Sequence, residues 1–139
     1  HIFASRQTNS ENQVTGTEFG ASKIGGDQND SYVFFPDPMG ATGNTLVASV
    51  DYYKRQVPGR AARYLALHLI VTPEYLKKVL TIHPDLQIYA LRLDRGLSSK
   101  AVLESEPGQF WDQERGLNDS DYIVPGGGGF GEIMNNSFV

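Results

Sequence analysis

Residues 37–45 read Asp37, Pro38, Met39, Gly40, Ala41, Thr42, Gly43, Asn44, Thr45. These types in this order suit the grip of a phosphorylated sugar. Small residues in a turn let backbone N–H groups approach a phosphate, and a helix beginning behind the turn adds a favourable dipole. Thr42 and Thr45 add hydroxyl donors, and Asp37, at a strand tip, is placed to accept hydrogen bonds from sugar hydroxyls. A plain strand–turn–helix link, with Asp37 and Thr45 as turn or capping residues, would use the same residues, because glycine-rich turns are common. A kinase-type phosphate loop is disfavoured, since Gly43 is followed by Asn44 with no Lys there. Of the histidines, His1 is terminal, His83 precedes Pro84 at a helix exit, and His68 lies in an apolar run that predicts a satisfied core residue.

The flanking elements must hold this segment in place. Tyr32-Val33-Phe34-Phe35, stopped by Pro36 and Pro38, predicts a short buried strand. Leu46, Val47, Val50 and Tyr53 recur at helical spacing over residues 45–54, and Pro58 and Gly59 end that unit. Residues 64–71 are nearly all apolar, which predicts a central parallel strand covered on both faces. Thr72 can cap a helix with Pro73 at its first position, running to about His83 with Tyr75, Leu76, Val79 and Leu80 on one face. Residues 86–91 are the next strand. Strands alternating with helices through short links predict an α/β domain on a mostly parallel sheet flanked by helices, with ligands bound outside the carboxyl ends of its strands. Before it lies a polar, Gly-rich stretch from Gln7 to Ser31, read as a loose hairpin. After it come a polar insert over residues 98–118, then Tyr122-Ile123-Val124-Pro125 and four consecutive glycines, which in isolation would read as a surface loop.

Composition narrows the partners. With 139 residues the chain fits one domain with a core of its own. The formal charge of -4 and the lack of a Lys/Arg run argue against a nucleic-acid surface, which needs a basic stripe. With no Cys, disulfides and thiolate metal sites are excluded. No run approaches the roughly 20 apolar residues of a membrane span. The first residues resemble neither a signal peptide nor a natural start, so a truncated piece of a longer protein is expected.

Residues 37–45 strongly resemble the ribose-phosphate loop of uracil phosphoribosyltransferases, whose usual pattern is Asp-Pro-Met-x-Ala-Thr-Gly-Gly-Ser or Thr. Leu117-Asn118 with Tyr122-Ile123-Val124-Pro125-Gly126 resembles the uracil-binding end of the same family. Pro73-Glu74, His83-Pro84-Asp85 and Asp94-Arg95-Gly96-Leu97 match the family in kind, as do Arg6 ahead of the flexible hairpin and Lys23 near its end. The resemblance implies a type I phosphoribosyltransferase-like domain over residues 1–139, lacking the family's N-terminal portion. It implies transfer of phosphoribosyl from phosphoribosyl pyrophosphate to uracil, giving UMP and pyrophosphate.

By the same resemblance, Asp37 and Arg6 are the catalytic candidates, and residues 37–45 hold the 5-phosphate and ribose. Tyr122, Ile123, Gly128, Gly129 and Phe130 line the base site, largely through backbone groups that mirror uracil's alternating donors and acceptors. Magnesium, held mainly by sugar hydroxyls and diphosphate, is the implied cofactor, with few protein ligands because it keeps several waters. A homodimer or larger assembly and a cytoplasmic setting are also implied. The chain departs from the family where Gly-Leu-Gly-Asp-Ala-Gly-Asp-Arg is usual: Gly129 and Glu132 replace the Asp residues and Ile133 the Arg. The alternative is a catalytically weak domain of the same fold that binds a nucleotide or sugar phosphate. The insert, with Phe110 and Trp111, reads as a lid, a partner contact or a surface elaboration.

Overall fold

A computed structural model describes residues 2–8 and 14–128 of the chain, with side chains from Gly20 onward. A hairpin is present, but it begins and ends earlier than the expected stretch from Gln7 to Ser31: strands β1 (Ile2–Thr8) and β2 (Val14–Ser22) pair antiparallel with two register shifts. The main sheet is parallel. Strand β3 (Tyr32–Pro36) pairs with β5 (Arg63–Val71), and β5 pairs along its length with β6 (Leu86–Leu93). A two-residue strand, β4 (Met39–Gly40), pairs with Ile70 and Val71 at the far end of β5. Because β6 occupies the other edge of β5, β4 resumes the β3 edge after a break at Asp37-Pro38. Pro36 and Pro38 have no N–H for the ladder, which is why the edge breaks there.

Helix α1 (Asn44–Gln56) joins β4 to β5, and α2 (Pro73–Ile82) joins β5 to β6. Both crossovers step in the same direction across the sheet, and right-handed connections of that kind put both helices on one face. Leu46 and Val50 of α1, Tyr75 and Val79 of α2, and Tyr64 and Ala66 of β5 share one core, with Val47, Tyr53 and Leu76 packed at its edge. Burying a Val or Leu side chain of this kind contributes roughly 1.5–3 kcal/mol. Thr72 caps α2 as expected, accepting from the Tyr75 N–H at 3.0 Å with Pro73 in the first turn.

Two expectations are corrected. Cover on both sheet faces is found on one: Phe34 is 54% and Leu91 83% exposed, and Tyr32, Leu67, Leu69 and Tyr89 share that open face. The apolar runs of β3 and β5 therefore mark a face that nothing among the described residues covers, since both crossovers lie on the opposite side. Leu80, expected on the inner face of α2, is 41% exposed, because the contact face is set by Tyr75, Leu76 and Val79. The segment at Tyr122–Pro125 contributes a single bridge, Leu117 to Ile123. Two elements run longer than their apolar patterns: α1 reaches Gln56 and β6 reaches Leu93. Among the described residues no helix is long and apolar enough to cross a membrane.

Candidate functional site: the strand-end loop and the glycine-rich turn

The loop after β3 is built by backbone bonds to the end of β5. The Asp37 N–H donates to Leu67 O at 3.0 Å, and Pro38 O accepts from the N–H groups of Leu69 (3.0 Å) and Ile70 (3.1 Å). Gly40 O accepts from the Thr72 N–H at 3.1 Å, and Ala41 O accepts from the Thr72 hydroxyl at 2.6 Å. Asp37 Oδ1 accepts from the Met39 N–H at 3.1 Å, closing a tight turn on its own backbone. The loop enters α1 through Gly43, whose φ of 81° is left-handed. A Cβ there would lie 2.8 Å from Val79 Cγ2, so both conformation and space require glycine. The Thr42 hydroxyl accepts from the Asn44 N–H at 3.4 Å, and Asn44 Oδ1 accepts from Lys78. Among the described residues no protein acceptor takes the N–H groups of Thr42, Gly43 or Thr45. Helix starts leave such donors free, and together with the dipole they make an anion-binding end.

Beneath this loop lies His68, 5% exposed. Its Nδ1 is 2.5 Å from Asp37 O and its Nε2 is 2.5 Å from the Tyr75 hydroxyl. Burial pushes the imidazole below its ordinary pKa, against the opposing effect of the Asp37 carbonyl and charge. Burial also raises the Tyr75 hydroxyl, with the charge of Asp37 adding to it, so Tyr75 stays a donor. His68 is thus the satisfied core residue its apolar strand predicts, and one of its two bonds goes to the loop.

The second segment is held by side chains from far along the chain. Asp94 sits just past β6 and is 3% exposed. Its Oδ2 accepts from the Gly126 N–H at 2.8 Å, while Arg92 pairs with both of its oxygens (2.5 and 2.9 Å) and donates to Gly126 O at 3.1 Å. Glu74, in the first turn of α2, accepts from the Gly116 N–H through both oxygens at 3.0 Å. Gly116 is forced by close approach, since a Cβ there would lie 2.1 Å from Asp94 O. Asn118 Oδ1 accepts from the N–H groups of Ser120 (3.0 Å) and Tyr122 (2.9 Å). This network carries Ile123 and the Gly126–Gly128 turn to the strand-end loop: a Cβ on Gly127 would lie 3.5 Å from Met39 Cε.

The insert packs firmly on the body. It contains a short helix, α3 (Lys100–Leu103), and a 3-10 turn at Trp111–Gln113. Arg95 donates to Glu114 Oε1 at 3.0 Å and to the carbonyls of Val102, Leu103 and Ser105, and the Glu114 side chain is wholly buried. Lys77 of α2 lies 5.3 Å from the centre of the Trp111 ring.

The structure therefore brings Met39 of the strand-end loop against Gly127 of the glycine-rich turn. Tyr122 is 53% exposed. Arg6 stands in β1 opposite Thr17, its side chain outside the described residues. Gly129, Phe130, Glu132 and Ile133 also lie outside the described residues. Arg92, Asp94, Glu74 and His68 support the site without having been expected there; for Arg92, Asp94 and His68 the available signal was a charged or polar residue within or at the end of an apolar strand. Among the described residues no three His, Asp or Glu side chains form a group that could hold a metal. A groove of about 230 Å³ between Ser22, Ile24 and the Gln56 end of α1 lies at the opposite end of that helix from the loop.

In comparisons with known proteins, the solved structure of AQ2163 protein from Aquifex aeolicus superimposes with a TM-score of 0.67 at 24% identity, over 94% of this chain and 50% of that one. This likeness shows the fold, and the chain spans half the length of that structure. A family model described as uracil phosphoribosyltransferase matches residues 3–113, a stretch that includes Asp37 through Thr45 and stops before the glycine-rich turn. With its matched region covering well over half its length, the chain belongs to the uracil phosphoribosyltransferase family.

Proposed function

We propose that the chain contributes phosphoribosyl transfer from phosphoribosyl pyrophosphate to uracil, giving UMP and pyrophosphate. The observation that carries this reading is the set of N–H groups at Thr42, Gly43 and Thr45 that find no protein acceptor among the described residues, at the helix end beside Asp37. A phosphomonoester fits those donors, and family membership makes the ribose 5-phosphate the candidate. Asp37 has one oxygen engaged by Met39 and a second with which to receive ribose hydroxyls. Ile123, Gly128, Gly129 and Phe130 would present backbone groups to the base beside Tyr122, and Arg6 would meet the pyrophosphate. In the reaction the bond from the anomeric carbon to pyrophosphate breaks, a bond to a uracil ring nitrogen forms, and that nitrogen loses its proton. The chain's part is to orient the two reactants and stabilise the separating charge, with no protein nucleophile. Magnesium, when bound, would neutralise the leaving pyrophosphate. The donor set fits an ion held mostly by the substrate, with Asp37 the nearby carboxylate in the loop. A cytoplasmic setting and a homodimer or larger assembly belong to this proposal.

A second reading, a nucleotide- or sugar-phosphate-binding domain with little catalysis, is favoured by Gly129 and Ile133. One assay separates the two: the protein is mixed with phosphoribosyl pyrophosphate, magnesium and each nucleobase, and pyrophosphate release is measured. Release with uracil supports transfer. No release with any base, together with retained UMP binding, supports the second reading. In either case Asp37→Ala is expected to weaken UMP affinity about tenfold or more.

A further inference from the structure

We propose that His68, held by Tyr75, is a positioning residue that fixes the plane of the Asp37–Pro38 peptide and so aims the Asp37 carboxylate; this rests on the phosphoribosyl reading above. A peptide bond to proline has no N–H, so its carbonyl is the only hydrogen-bonding group by which its plane can be set. That carbonyl meets His68 Nδ1 at 2.5 Å. The Tyr75 hydroxyl, 2.5 Å from Nε2, donates its hydrogen there, which leaves the hydrogen on Nδ1 to be donated to Asp37 O. The Tyr75 ring, 1% exposed, stands edge-on to the imidazole with centroids 4.9 Å apart. All the bonds around Asp37 then have an assigned end: its N–H to Leu67, its carbonyl from His68, and its Oδ1 from Met39.

The choice of residue supports the role. His68 faces the same apolar core as Tyr64 and Ala66, where an aliphatic side chain would pack without a polar atom to satisfy. Burying an imidazole there is unfavourable unless both nitrogens are bonded. Here both are, and the chain Tyr75–His68–Asp37 runs from a rigid helix to the strand-end loop of the candidate site.

The test uses His68→Leu, His68→Asn and Tyr75→Phe. Asn places an amide N–H near the position of Nδ1, so it restores the donor without the ring. UMP affinity is measured by calorimetry, the fold by thermal melting, and the Met39 N–H, which reports on the Asp37 carboxylate, by its ¹H–¹⁵N chemical shift without ligand. His68→Leu is expected to shift the Met39 resonance and weaken UMP about tenfold, the scale of one hydrogen bond, whereas His68→Asn stays within about threefold of wild type. Tyr75→Phe is expected to fall between them, and it carries the comparison if His68→Leu does not fold. Equal affinity in His68→Leu and wild type, or Asn as poor as Leu, overturns the positioning role. Failure of the wild-type protein to bind UMP overturns the phosphoribosyl reading instead. The Met39 resonance then decides the positioning role alone, an unmoved signal in His68→Leu overturning it.

Discussion

The strand-end loop and the glycine-rich turn meet at Met39 and Gly127, yet they are held by opposite means. The loop is fastened mostly by backbone groups of β5 that lie beside it in the sheet, with Thr72 and His68 as side-chain supports. The turn has no strand to lean on. The buried carboxylate of Asp94 receives the Gly126 N–H, Arg92 takes the Gly126 carbonyl, and Glu74 holds the approach to the turn at Gly116. A segment inside a sheet inherits its geometry from the ladder. One that leaves the sheet needs charged side chains from elsewhere to satisfy its backbone.

This contrast predicts an order of effects. Asp94→Ala removes a buried carboxylate that serves both Arg92 and the Gly126 N–H, and should lower unfolding stability in urea by about 2–3 kcal/mol; Arg92 is half exposed and recovers water, which limits the loss. A smaller loss, about 1–2 kcal/mol, is expected for Thr72→Ala, which deletes a helix cap and the bond to Ala41 while leaving the β5 ladder intact. If Thr72→Ala proved the more damaging, the loop would depend on side chains as much as the turn does. The smallest effect is confined to acid. Because folded His68 has a lowered pKa, its contribution is present above the ordinary value of 6.5 and is lost as pH falls through the folded value, where the unfolded chain takes up a proton that the folded one resists. Urea unfolding of wild type at pH 7.5 and 5.5 should therefore show a fall that is reduced in His68→Asn.

The same contrast explains what the sequence made legible. The order of helices and strands follows from local signals: apolar runs, the Thr72-Pro73 start and the Pro36 and Pro38 stops. The loop suggested a phosphate cradle from sequence because its candidate chemistry is written in consecutive residues from Asp37 to Thr45. Its supports were not, since His68 stands 31 residues from its partner Asp37 and Asp94 stands 32 from Gly126. Such pairings are set by strand register, which periodicity does not encode. The open face of the sheet was likewise misread, because an apolar strand looks the same whether one side or both are covered.

Asp94 and Arg95 are neighbours on one backbone, and each is an anchor for a different region. Asp94 fixes Gly126, while Arg95 gathers Val102, Leu103, Ser105 and Glu114 of the insert. Swinging the insert outward would strip a guanidinium and a fully buried carboxylate of each other, and the strain would reach Gly126 across a single peptide unit. The insert is thus fastened as a buttress, through the residue next in sequence to the one that holds Gly126.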